Sequence, residues 1–183
     1  MSRDLNPQKS TYQKDLDTLS KQRDELFNNL EKRGFSIKTS VTDLFTEYHI
    51  KDRAGCYQGS VRENAIKTGR FSGSVESQTH YNGQLFVRGL KKLSDDLMNN
   101  GADKINGQMI KLEALGFETE VRHYPNATRI KVTRDGSNEV REFNLETKGI
   151  LPGSGNKMIA GWLSEVTADL KKQRERLSPA INS

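Results

Sequence analysis

"FETEVRHYPNATRIKVTRDGSNEVREFNL" spans residues 117 to 145, and its period sets the fold class. Phe117, Thr119, Val121 and His123 alternate with Glu118, Glu120, Arg122 and Tyr124. Ile130 and Val132 then alternate with Arg129, Lys131 and Thr133. A period of two belongs to a strand, whose successive side chains point to opposite faces. "YPNAT" and "DGSN" are turn sequences, and "EVREFNL" is a third strand. Three strands with short turns form an antiparallel meander with one apolar and one charged face. The apolar face needs a cover, which the flanking segments must supply as helices.

Downstream, "LPGSGN" reads as a linker, and residues 157–177 as a helix. Ile159, Leu163, Val166 and Leu170 repeat at alternating steps of four and three, with Leu177 continuing the stripe and Trp162 beside it. Upstream, residues 103–115 form a helix with Ile105, Met109, Leu112 and Leu115 inward and Gly116 as its stop. Gly107 weakens that helix by about 1 kcal/mol relative to Ala. Residues 83–99 form another, with Leu85, Phe86, Gly89, Leu90, Leu93 and Leu97 along one side. A long helix at 11–33 carries a heptad stripe of Tyr12, Leu16, Leu19, Leu26 and Leu30, interrupted by Arg23. Between them, Val41, Leu44, Phe45 and Tyr48 fall at i, i+3, i+4 and i+7 and predict a short helix. Ser60 and Glu63 have capping-box spacing and predict two helical turns over 61–68. Residues 70–80 read as loop or irregular strand, and no internal repeat of useful length is evident.

The expected architecture is therefore α+β, with about five helices packed on a three-stranded antiparallel β-meander. The expected division is an N-terminal helical region over 1–50. An α+β domain over 51–183 follows, holding the basic segment 51–92, the meander 117–145 and the C-terminal helix 157–177.

Composition narrows the function classes. Of 183 residues, 33% are hydrophobic and 29% charged, so the core is lean. No apolar run approaches the ~18 residues needed to cross a bilayer. The start, "MSRDLNPQKS", lacks the apolar middle of a secretory signal. The single cysteine, Cys56, excludes an intramolecular disulfide, and a reducing, cytoplasmic setting is expected. The net charge is +5, and its distribution is uneven. Residues 1–50 hold 8 basic and 8 acidic side chains, and residues 93–183 hold 13 of each. The whole excess lies in 51–92, where Lys51, Arg53, Arg62, Lys67, Arg70, Arg88, Lys91 and Lys92 face only Asp52, Glu63 and Glu76.

Reaction chemistry finds little purchase. His49, His80 and His123 show no i, i+4 pair, and neither HExxH nor a Cys/His cluster occurs, so no metal and no cofactor are expected. Glu118 and Glu120 share the solvent face of a strand, opposite Arg129 and Lys131. Gly155 and Asn156 in "LPGSGNK" precede a helix whose first amides are free and suit an anion, although the phosphate-loop spacing is absent. The enzymatic alternative is a dispersed site around Cys56, His80 and Arg62. The order helix–strand–strand–strand–helix over 103–177 resembles that of a double-stranded-RNA-binding domain. That family carries Lys-Lys-x-Ala-Lys at the start of its last helix and Gly-Pro-x-His between its first two strands. Here those places read "NKMIAGW" and "YPNAT", so only the element order is shared and no residue role is carried over.

What remains is binding. The basic Gly/Ser-bearing segment suits a nucleic acid, DNA or RNA, with Arg53, Arg62, Lys67, Arg70, Arg88, Lys91 and Lys92 neutralising phosphates. Phe71 and Tyr81 are placed to stack on bases. The expected function is non-enzymatic binding or regulation. The alternative is a protein–protein adaptor or inhibitor acting on an acidic target. It would use the 56–80 loop or the helix faces Leu16, Leu19, Leu26, Leu30 and Ile159, Leu163, Val166, Leu170, with a homodimer as one arrangement of those faces.

Overall fold

The computed structural model describes residues 11–65, 75–134, 136, 140–150 and 153–177. Its elements run α1 (Thr11–Lys32), β1 (Ser36–Val41), β2 (Phe45–Lys51), β3 (Tyr57–Asn64), α2 (Val75–Asn99), α3 (Ala102–Ala114), β4 (Phe117–Tyr124), β5 (Ala127–Arg134), β6 (Val140–Glu146) and α4 (Ser154–Leu177). The class is α+β, with four helices and two three-stranded antiparallel sheets among the described residues, ordered β1-β2-β3 and β4-β5-β6.

The second sheet is the meander expected from period two. Val121 pairs with Ile130, and Ile130 with Phe143, so the apolar side chains share one face. The first sheet corrects the sequence reading. Residues 41–48 are not a helix: they end β1, turn, and begin β2. Residues 61–64 are not helical turns but the end of β3. Helix α2 starts at Val75, eight residues before its expected start, so residues 75–80 are helix rather than loop. A cut at residue 50 falls inside β2.

The two sheets belong to two units with the same layout, helix–strand–strand–strand–helix, over 11–99 and 102–177. A repeat is therefore present. Leu30-Glu31-x-x-Gly34-Phe35 and Leu112-Glu113-x-x-Gly116-Phe117 stand at the same corner of each unit. Both leucines are fully buried, both phenylalanines nearly so, and both glycines adopt φ near +85° (84° and 86°). That left-handed conformation costs any residue with a Cβ ~1–2 kcal/mol, which is why glycine ends both helices. Inward on the central strands, Tyr48 and Ile50 of β2 match Ile130 and Val132 of β5. Phe86, Leu90, Leu93 and Leu97 of α2 match Ile159, Leu163, Val166 and Leu170 of α4.

Each unit has its own core. The first gathers Leu30, Phe35, Ile50, Val61, Phe86, Leu90 and Leu97, with Phe27 and Tyr48 packed at 5.1 Å between ring centroids. The second gathers Leu112, Phe117, Ile130, Val132, Leu145 and Leu163, among others, with Phe143 stacked on Trp162 at 5.2 Å. Each fully buried Leu or Ile contributes ~1.5–3 kcal/mol. The place of the Phe143–Trp162 stack is taken in the first unit by Val61 and Gly89, where a Cβ on the glycine would lie 3.1 Å from Val61.

The helices pair within units: α1 lies along α2, and α3 along α4. The stripes of α1 and α4, which could have met each other, are instead turned to these neighbours. Both pairs run in the same direction. Leu19 of α1 abuts Gly83 of α2, and Phe27 meets Phe86 further along. Gly101, at the start of α3, likewise abuts Lys157 at the start of α4.

Candidate nucleic-acid interface

The described cationic residues of 51–92 divide among three places. The first is the joint between units. Arg53 lies in the turn between β2 and β3, and that turn reaches across to α3. Its backbone N–H donates to Asn106 Oδ1 at 3.0 Å, its guanidinium pairs with Glu113, and neighbouring Ala54 packs on the second core. Arg53 is thus an ion-paired structural residue.

The second place is the open face of the first sheet, on the side away from α1 and α2. Lys38, Phe45, Glu47, His49, Lys51, Ser60 and Arg62 share this face by strand alternation. Glu47 organises it, accepting from Ser60 Oγ at 2.6 Å and from Arg62 Nε at 3.1 Å. The Ser60 hydroxyl first, and then Arg62, hold the Glu47 carboxyl below its ordinary range. Arg62 also lies over the Phe45 ring at 4.6 Å, a cation–π contact. Ser40 Oγ is 3.1 Å from His49 Nε2, and Glu47 approaches that same nitrogen at 3.8 Å. A proton relay needs hydroxyl and carboxylate on opposite ring nitrogens, so these three residues do not form one.

The third place is the exposed side of α2. Tyr81, Arg88 and Lys92, with Lys91 beside them, follow i, i+7, i+11 spacing and are all exposed, Tyr81 at 60%. Arg88, Lys91 and Lys92 have no carboxylate partner among the described residues. Asp95 and Asp96 lie one turn further along. Lys67, Arg70 and Phe71 lie outside the described residues. The structure thus brings together Tyr81, Arg88, Lys91 and Lys92, and separates them from Arg53 and Arg62.

The three residues of the enzymatic alternative do not converge. His80 packs edge-on to Tyr12 (5.9 Å) and lies 3.8 Å from Asp15, between α1 and α2. Arg62 is on the opposite side of the sheet. Cys56 sits in the β2–β3 turn, where its N–H donates to Asp52 Oδ1 at 2.9 Å. Burial first, and then the Asp52 carboxylate, push the Cys56 thiol up to about 11. A nucleophilic thiolate needs the reverse shift. Among the described residues no group of three or more His, Cys, Asp or Glu is placed to hold a metal ion. Nor is any helix among them long and apolar enough to cross a membrane.

Most of the residues weighed for an intermolecular interface pack inside the molecule, whereas Leu16 is half-buried and belongs to neither core. Leu30 is fully buried, Leu26 packs on the first core, and Ile159, Leu163, Val166 and Leu170 belong to the second.

Sequence reading missed the Glu47 cluster because residues 41–48 mimic a helical face. The available signal was the alternation Phe45, Glu47, His49, Lys51, which places four larger side chains on one side of a strand. The molecule is thus a tandem pair of helix–strand–strand–strand–helix units with a cationic helix face. Comparison with family models, with curated proteins and with solved structures finds no match for this chain.

Proposed function

We propose that this chain is a non-enzymatic binding protein that engages nucleic acid through the exposed side of α2. The observation carrying this reading is that Arg88, Lys91 and Lys92 have no carboxylate partner among the described residues, with Arg88 and Lys92 in line with exposed Tyr81 on one helix face and Lys91 beside them. The cations neutralise successive phosphates and release counterions, and Tyr81 stacks on a base. Arg53 and Arg62, engaged with Glu113 and Glu47, drop out of the contact set. No comparable observation favours the adaptor reading: most of its helix-face residues pack inside the two units, and part of its 56–80 loop lies outside the described residues.

The test is fluorescence anisotropy with labelled single-stranded and duplex oligonucleotides of DNA and RNA. Three phosphate contacts predict a loss of roughly 20- to 40-fold in affinity between about 50 and about 200 mM salt. The triple variant Arg88→Ala, Lys91→Ala, Lys92→Ala should flatten that salt dependence. Absence of binding at low salt, or a triple variant that binds like the parent, sinks the proposal.

A further inference from the structure

Helices α3 and α4 leave a groove of about 420 Å³ between them on the side away from the sheet, a volume in the range of ligand sites. Lys104 and Lys111 line it from α3, and Lys157 and Ser164 from α4. No carboxylate lines it, and none of the three lysines makes an ion pair among the described residues. The floor is made by Gly107 and Gly161, both inside helices. A glycine inside a helix usually lets two elements approach closely, but here a Cβ at either position would meet nothing within 4 Å. Both positions therefore sacrifice helix stability without a packing return, and what they leave is the space of the groove.

The internal repeat gives a control. At the matching places of α1 and α2, Gln22, Asn29 and Gln84 stand for the three lysines, and Glu25 and Arg88 for the two glycines. At the Ser164 place stands Lys91, so the first unit keeps two cations, Arg88 and Lys91, on the matching surface but covers the floor with the long side chains of Glu25 and Arg88. Among the described residues, a cleared floor flanked by lysines with no carboxylate in the lining occurs in the second unit only. The direction of the helices adds to the field. Because α3 and α4 run the same way, with Gly101 beside Lys157, both positive helix ends lie at the end of the groove that holds Lys104 and Lys157. The free amides of "SGN" at the start of α4, noted in the sequence as suited to an anion, belong to that same end.

We propose that the α3–α4 groove is a binding site for a chain of linked phosphates, of the kind found in inorganic tripolyphosphate or the triphosphate of a nucleotide. Lys104 and Lys157 hold one end of the chain beside the helix starts. Lys111, two turns or about 10.5 Å further along α3, takes the other. The glycine floor admits the phosphates between the helices, and the Ser164 hydroxyl supplies a donor. A single orthophosphate spans only one end, so the site discriminates by length.

The proposal does not depend on nucleic-acid binding at α2, and different variants test the two. Calorimetric titration of the full chain with sodium tripolyphosphate, at constant ionic strength, should show one site at least about tenfold tighter than for orthophosphate. Lys104→Ala with Lys157→Ala should weaken tripolyphosphate by about tenfold or more. Gly161→Leu should abolish binding by filling the floor, and circular dichroism should show the helices intact because leucine favours a helix. The Arg88, Lys91, Lys92 triple variant should keep the parent affinity. ATP binding as tightly as tripolyphosphate assigns the source to a nucleotide, whereas tripolyphosphate binding alone assigns it to an inorganic chain; either supports the site. The proposal is overturned if tripolyphosphate binds no tighter than orthophosphate. It is equally overturned if the groove variants retain parent affinity, or if the α2 variant loses it to the same degree.

Discussion

Asp52 keeps only 7% of its surface exposed, in the turn that joins the two units. Its carboxyl accepts from the Cys56 N–H and from Gln58 Nε2 at 2.7 Å, yet burial outweighs these bonds and raises its pKa above the ordinary 3.8. The folded state therefore holds this proton to higher pH than the unfolded chain does. Between 3.8 and the raised value the native state binds more protons, so Asp52's contribution to stability falls as pH rises through that window. Urea midpoints for the parent and Asp52→Asn, compared from about pH 4 to about pH 7, should diverge in favour of the variant as pH increases. A constant difference would show that Asp52 carries no such linkage. Nothing in the sequence marked this residue, because its burial depends on a loop meeting a helix of the other unit.

At the scale of elements, legibility followed the cleanness of the period. Strands β4 and β5 were readable because Ile130 and Val132 are flanked by Arg129 and Lys131, so inside and outside differ in polarity. Strand β2 was not. Its inward face mixes Thr46, Tyr48 and Ile50, and its outward face mixes Phe45, Glu47, His49 and Lys51. Polarity alternates on neither, whereas Val41, Leu44, Phe45 and Tyr48 happen to match a helical stripe. β1 exposes Lys38, Thr39, Ser40 and Val41 alike, as an edge strand can, and carries no pattern at all. The α2 patch was half legible: spacing placed Arg88, Lys91 and Lys92 off the apolar stripe, but the partners of Arg53 and Arg62 came from elements distant in sequence. Helix glycines show the same split between local and tertiary control. Gly107→Ala should stabilise the protein by about 1 kcal/mol, since its Cβ enters open space. Gly89→Ala should gain nothing or destabilise, because its Cβ lies 3.1 Å from Val61. Equal denaturation midpoints for the two variants would contradict this account of α2 against β3.

At the scale of the whole molecule, the repeat was hidden because its halves share few letters beyond the Leu-Glu-x-x-Gly-Phe corner and the pairs Leu90/Leu163 and Leu97/Leu170. At most other places the residues differ: Tyr48 for Ile130, Gly89 for Trp162. Two cores that meet through the β2–β3 turn, the Arg33–Asp103 ion pair and the α2–α3 connection raise the matter of cooperativity. Asn106 is fully buried and accepts the Arg53 N–H, so Asn106→Ala strands that donor at a cost of ~1–3 kcal/mol. The molecule's single tryptophan, Trp162, stacks inside the second unit only and reports on that unit alone. In the parent, tryptophan fluorescence and circular dichroism should melt together. In Asn106→Ala the two signals should separate. Coincident transitions in the variant would mean that the turn is not what couples the halves.

The corner glycines reveal what kind of partnership this is. A Cβ on Gly34 would come within 3.3 Å of Ile110, whereas one on Gly116, its counterpart, would meet nothing within 4 Å. Were the halves related by a twofold axis, each corner would touch the other half equally. The two corners have different surroundings, so the halves are not related by an exact twofold axis. One corner is answered by the other half and its counterpart is not, so the two copies meet different packing demands, and each can keep a surface that the other lacks.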